Sequence, residues 1–97
     1  MLLLKTVMLE TDWVLRSLYR FDRIRIADAL MATIALPTVQ CEDLNSVIKA
    51  IGWMRNGLDF ADALHLASAK PAGTFATFDG ELAKRAAKVT DIPIIQL

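Results

Sequence analysis

The run Asp59-Phe60-Ala61-Asp62-Ala63-Leu64-His65-Leu66-Ala67-Ser68-Ala69 sets apolar side chains at nearly every angle around a helix. At 100° per residue, Phe60, Ala61, Ala63, Leu64, Leu66, Ala67 and Ala69 leave hardly any polar face, which is the pattern of a helix buried on several sides. Asp59 is placed to cap it, and Asp62 and His65 are its polar exceptions. A helix of this kind needs other elements packed around it, so its flanks must supply them.

Upstream, Asp43 is placed to cap a helix whose Leu44, Val47, Ile48, Ile51 and Met54 follow the i, i+3, i+4, i+7 series, and Gly57 ends it. A helix from about Asp22 to Ala35 repeats apolar residues at Ile24, Ala27, Met31 and Ile34, with Pro37 beyond its end. Another runs from a cap at Thr6 to about Arg20, with Val7, Val14, Leu18, Leu15 and Met8 on its apolar side and Asp12, Arg16 and Arg20 opposite. Short extended pieces are expected at Leu2 to Leu4, Thr38 to Cys41, Thr74 to Phe78 and Ile92 to Leu97, with a helix from Asp79 or Gly80 to about Lys88. Helices alternating with short apolar strands predict an α/β layer fold with a mainly parallel sheet, in a single domain over 1–97.

The 97 residues are 55% apolar and 23% charged, with 11 basic residues against 11 acidic. That apolar share rules out intrinsic disorder and leaves surface that a partner can cover. The balanced charge removes the basic footprint of a protein held to nucleic acid by phosphate contacts alone. One cysteine, Cys41, and one histidine, His65, exclude an intrachain disulfide and a Cys/His zinc site, and suit a reducing cytoplasm. No apolar run approaches the 18 residues of a membrane helix, so no membrane partner is expected.

Carboxylates inside apolar elements are costly unless paired, hydrogen-bonded or ligated. Glu10 lies between Trp13 and Val14 with Val14, not a base, at i+4, so its partner must come from elsewhere. Asp12 has Arg16 at i+4 and reads as an ordinary surface pair. Asp62 falls in the first turn of the buried helix, where it either completes a capping box with Asp59 or serves chemistry. Asp79 follows a predicted strand, where α/β sheets collect ligands, or simply caps the next helix. If such acids converge, a divalent cation relieves their repulsion, and an oxygen-only ligand set suits Mg²⁺ or Mn²⁺. Arg16, Arg20, Arg23 and Arg25 form a basic cluster that reads as a solvated face, His65 as a hydrogen-bonded core residue, and Trp13, Trp53, Phe60 and Phe78 as core.

Leu9-Glu10-Thr11-Asp12-Trp13-Val14-Leu15-Arg16, Asp59-Phe60-Ala61-Asp62-Ala63-Leu64-His65-Leu66-Ala67 and Thr77-Phe78-Asp79, in this order and spacing, resemble the PIN-domain family, specifically the VapC-like toxins of type II toxin–antitoxin systems. The resemblance spans nearly the whole chain. It implies a PIN-like three-layer α/β fold with a mainly parallel sheet, and a Mg²⁺- or Mn²⁺-dependent endoribonuclease that cuts RNA and is restrained by an antitoxin protein. By position it makes Glu10, Asp62 and Asp79 the catalytic and metal-holding acids. The family's opening strand, with its Asp-Thr-Asn, has no counterpart in this chain. The resemblance is therefore to an N-terminally truncated PIN domain that lacks its first metal-binding acid. Weakened or absent catalysis follows, as does a homo-oligomer that covers the exposed gap. The alternative is a non-catalytic PIN remnant acting as a protein-binding or oligomerisation module.

Overall fold

In a computed structural model of the protein, which describes residues 1–69, 75–77, 79–90 and 92–96, the chain is predominantly helical. The order is β1 (Leu2–Leu3), α1 (Lys5–Ser17), α2 (Arg23–Ile34), β2 (Gln40–Cys41), α3 (Leu44–Arg55), α4 (Phe60–Ala69), β3 (Phe75–Thr77), α5 (Gly80–Val89) and β4 (Ile94–Gln96). The centre is the α3–α4 pair. Val47, Ala50, Ile51 and Met54 of α3 are buried with Phe60, Ala63, Leu64, Leu66 and Ala67 of α4, and Leu58 of the connection is buried with them. The connection is tight because Gly57 takes φ 114°, a conformation closed to most L residues, while the Leu58 N–H donates to the Trp53 carbonyl at 3.1 Å. Ile26, Ala27 and Leu30 of α2, Met8 of α1, and Leu82 and Ala86 of α5 close the core around this pair.

The expected three-layer fold with a mainly parallel sheet is not formed. The described strands make two separate two-stranded sheets, β1 with β2 and β3 with β4, each parallel, and among the described residues no strand joins them. The physical reason lies in strand length. A central parallel strand needs a near-continuous apolar run buried on both faces, whereas these strands are two or three residues long and include exposed Leu2, Gln40, Ile95 and Gln96. The apolar residues have gone into helices instead. Among the described residues, no helix is long and apolar enough to cross a membrane.

Helix α1 departs most from expectation. It starts two residues early, with Leu4 rather than Thr6 at the cap position, because the Lys5 N–H, which needs a partner from outside the helix, donates to Glu42 Oε1 at 2.8 Å. It ends at Ser17 because Arg20 turns into the left-handed region, with φ 57°, and the Phe21 N–H reaches back to the Leu15 carbonyl at 2.9 Å. It is also rotated. Met8 and Asp12 are its buried residues, while Val7 is 43% and Leu18 67% exposed. The inward face is centred roughly 85° around the axis from the apolar side read in the sequence.

The starts of the next two helices each depend on an aspartate. Asp22 caps α2, accepting from the Arg25 N–H at 2.8 Å. Asp43 occupies the cap position of α3 but makes no capping hydrogen bond with its side chain, which instead pairs with Lys5 at 2.9 Å. That hydrogen bond to Lys5 holds the Asp43 carboxyl below the usual carboxylate range. Trp53 and Phe60 are buried as expected, but Trp13 is 56% exposed and His65 is also on the surface. Phe78 lies outside the described residues, as do positions 74 and 97 of the extended pieces expected there.

Phe60 has no exposed surface and sits where α3, α4 and α1 meet the cleft described below. Phe60→Ala is expected to cost about 3–5 kcal/mol, a large part of the roughly 5–15 kcal/mol typical of a whole domain. Urea denaturation followed by circular dichroism reads the change, and a loss below about 1 kcal/mol would contradict this picture of the core.

Candidate functional site

Rotation of α1 brings Asp12 inward against the start of α4. Asp12 is 2% exposed; its Oδ2 accepts from Arg16 Nη2 at 3.1 Å, and its Oδ1 has no hydrogen-bond partner. The same Arg16 donates from Nη1 to Asp59 Oδ1, so one guanidinium joins two carboxylates from distant parts of the chain. Burial pushes the Asp12 carboxyl above its ordinary value; the Arg16 charge opposes this and the Asp59 charge adds to it. The hydrogen bond to Asp59 raises the already high pKa of Arg16, so the clamp keeps its positive centre.

This clamp lines a cleft of about 270 Å³. Arg23 of α2 and Arg85 of α5 line it too, and Phe21, Ile26, Met54, Leu58 and Phe60 give it an apolar side. No ion pair links Arg23 or Arg85 to a carboxylate within the described residues. Sequence reasoning passed over this site, taking Asp12 and Arg16 as a surface pair and Arg23 as part of a solvated face. The available signal was the position of Asp12 itself, four residues after Met8 and three before Leu15, both of which turn towards the core.

The three acids singled out in the sequence are placed as follows. Asp79 caps α5, accepting at Oδ1 from the N–H groups of Glu81 at 3.0 Å and Leu82 at 3.2 Å. Asp62 is half-buried in the first turn of α4. Burial raises its pKa most, the charges of Asp59 and Asp79 raise it further, and His65 and Arg85 pull the other way. Asp62 and Asp79 are thus brought within electrostatic reach of each other. Glu10 is not brought to them: it is exposed on α1 among Leu9, Trp13 and Val14, about 160° around the helix from Asp12. Among the described residues, no group of three or more His, Cys, Asp or Glu side chains is close enough to hold a metal ion.

No family model matches the chain, and no curated protein or solved structure matches it either. Together with the two unjoined sheets and the missing metal cluster, this overturns the resemblance to a truncated PIN domain or VapC toxin, and with it the metal-dependent ribonuclease function and the catalytically dead PIN remnant. RNA and an antitoxin were implied by that resemblance alone, and no other observation carries them.

The native pKa of Asp62 lies above that of the unfolded chain, so the folded state holds this proton more tightly. Its contribution to stability is complete below the ordinary carboxylate value and is lost as pH rises through the native value. With Asp59, Asp79, His65 and Arg85 as the charges that face it, ionised Asp62 weakens the fold at neutral pH. Asp62→Asn is expected to raise the melting temperature by roughly 2–5 °C at pH 7 and to leave it unchanged at pH 3. Equal melting at both pH values would contradict the assignment.

Proposed function

We propose that the protein is an association module that pairs with a second copy of itself through the outward face of α1. The observation that carries this reading is the stripe left in solvent when Asp12 turns inward. Leu4, Val7, Trp13 and Leu18 are exposed, and Val14 lies half-buried between shallow depressions that Glu10 also lines. Burying a side chain of this size is worth about 1.5–3 kcal/mol, so the exposed stripe is a reserve of free energy that folding alone has not used.

Three quantities favour a second copy as the occupant. The chain exposes 6007 Å², whereas a compact monomer of 10.7 kDa exposes about 5,500 Å². Its formal charge of zero sets up no long-range repulsion between copies. A 13-residue helix runs about 20 Å, and with Leu4 and Leu18 at its ends the stripe reaches the low end of specific interfaces, about 600 Å² per partner.

An antiparallel pairing about a two-fold axis between Glu10 and Thr11 lays Val7 on Val14 of the second copy and Glu10 opposite Thr11. Glu10, which has no base four residues on, then lies beside a neutral side chain rather than a like charge. The free, half-buried thiol of Cys41 suits a cytoplasmic setting for this association.

Sedimentation equilibrium between about 1 and 100 µM is expected to show a monomer–dimer equilibrium with a micromolar Kd. Val14→Glu combined with Leu18→Glu abolishes it while leaving the helical circular dichroism intact. A wild-type monomer throughout that range, or undiminished dimerisation of the double variant, would overturn the proposal.

A further inference from the structure

Helix α1 carries two faces that could pack on the core, and they are centred roughly 85° apart. The face turned inward joins Met8 and Leu15 to Asp12, whose Oδ1 is sealed from solvent and accepts no hydrogen bond. The face turned outward carries Val7, Val14 and Leu18 and is complete as a core face. Its central polar residue, Thr11, already donates its hydroxyl to the Val7 carbonyl at 2.8 Å, so burying it leaves no donor unmatched. A turn of the helix would therefore bury the apolar stripe and return the sealed oxygen to solvent.

What prevents that turn comes from outside α1. Arg16 ties Asp12 to Asp59, the residue just before α4, and Lys5 pairs with Asp43 beside the first turn. The exit is a strained point at which a change of orientation can be absorbed: Arg20 sits at φ 57°, a region that residues other than glycine seldom occupy. The Arg16 and Asp59 side chains are 46% and 32% exposed, so a competing charge in solution can reach their contact.

We propose that the Arg16–Asp59 contact is a latch that selects between two orientations of α1. Closed, it holds the stripe outward where a second copy meets it; open, it lets α1 turn and hide the stripe in its own core. Asp59 is not part of the stripe, so the latch acts on pairing from a distance, by setting the fraction of chains whose stripe is presented. This regulation rests on the pairing proposed above, whereas the turn itself does not.

The test is the reactivity of single thiols toward a maleimide in the full chain carrying Cys41→Ser. It is run at about 0.1 µM, below the micromolar range of pairing. Val7→Cys reports the stripe. Leu9→Cys reports a position about 160° around the helix from it, where Leu9 packs half-buried against the core. The latch is opened by Asp59→Asn or by Arg16→Gln, which also strips Asp12 of its donor. Either is expected to slow modification at position 7 and speed it at position 9, each by at least about fivefold. Sedimentation of the same latch variants is expected to show the dimer Kd raised by about the square of the slowing at position 7, since both copies must present the stripe. Opposite changes at the two positions in either variant support the turn. Their absence in both variants, whether the rates stay unchanged or rise together as α1 comes loose, would overturn it. An unchanged Kd in a variant that turns would overturn the regulation. A wild-type chain that never pairs removes the regulation together with the pairing, while the thiol rates, read on monomers, still decide the turn.

Discussion

One guanidinium, that of Arg16, holds two carboxylates 47 positions apart in the chain, Asp12 and Asp59, and the arrangement of the rest follows from it. Without that clamp, α1 would turn Val7, Val14 and Leu18 to the core, as an isolated amphipathic helix is expected to do. With it, the inward face is Met8, Asp12 and Leu15, and the apolar stripe is left outside. An ion pair with one buried carboxylate is weak evidence for stability, because the cost of desolvating Asp12 offsets much of the Coulomb attraction. Its role here is better understood as setting orientation. Removing one partner would leave a buried charge, so the pair penalises other rotations of α1 more than it rewards this one.

Legibility in the sequence followed how local the controlling interaction is. The burial of α4 was visible because Phe60, Ala63, Leu64, Leu66 and Ala67 cover the helix on several sides whatever packs against it. The Asp79 cap and the Gly57 stop were visible because each acts within a few residues. Where the partner was distant, the sequence misled. Glu42 starts α1, Lys5 draws away the Asp43 side chain, and Asp59 draws in Arg16; in each case the partner belongs to another element.

The candidate site was only partly legible for the same reason. Asp62 and Asp79 do approach each other across the beginnings of α4 and α5, where a helix start supplies free N–H groups for a carboxylate. Glu10 stands apart because two positions along a helix amount to about 200°, and it was Asp12 that turned inward. Spacing and residue type along the strings around Glu10, Asp62 and Asp79 were enough to suggest a family, but that pattern presupposed a continuous sheet. Two-residue strands cannot supply one, since each contributes only a few ladder hydrogen bonds and little two-sided burial.

The stripe and the sealed oxygen are the two results of a single rotation. Turning α1 so that Asp12 faces Asp59 moves apolar surface into solvent on one side and seals a carboxylate oxygen away from any donor on the other. Neither is favourable for the chain by itself: the first leaves hydrophobic area hydrated, and the second leaves an acceptor desolvated. Two unfavourable features on one short helix are hard to attribute to poor packing, because the neighbouring α3–α4 pair is closely packed around side chains with almost no exposed surface. The stripe is better explained as a contact completed by a second copy of the chain. Because the Asp12–Arg16–Asp59 clamp sets the rotation of α1, it also fixes the face that the second copy meets.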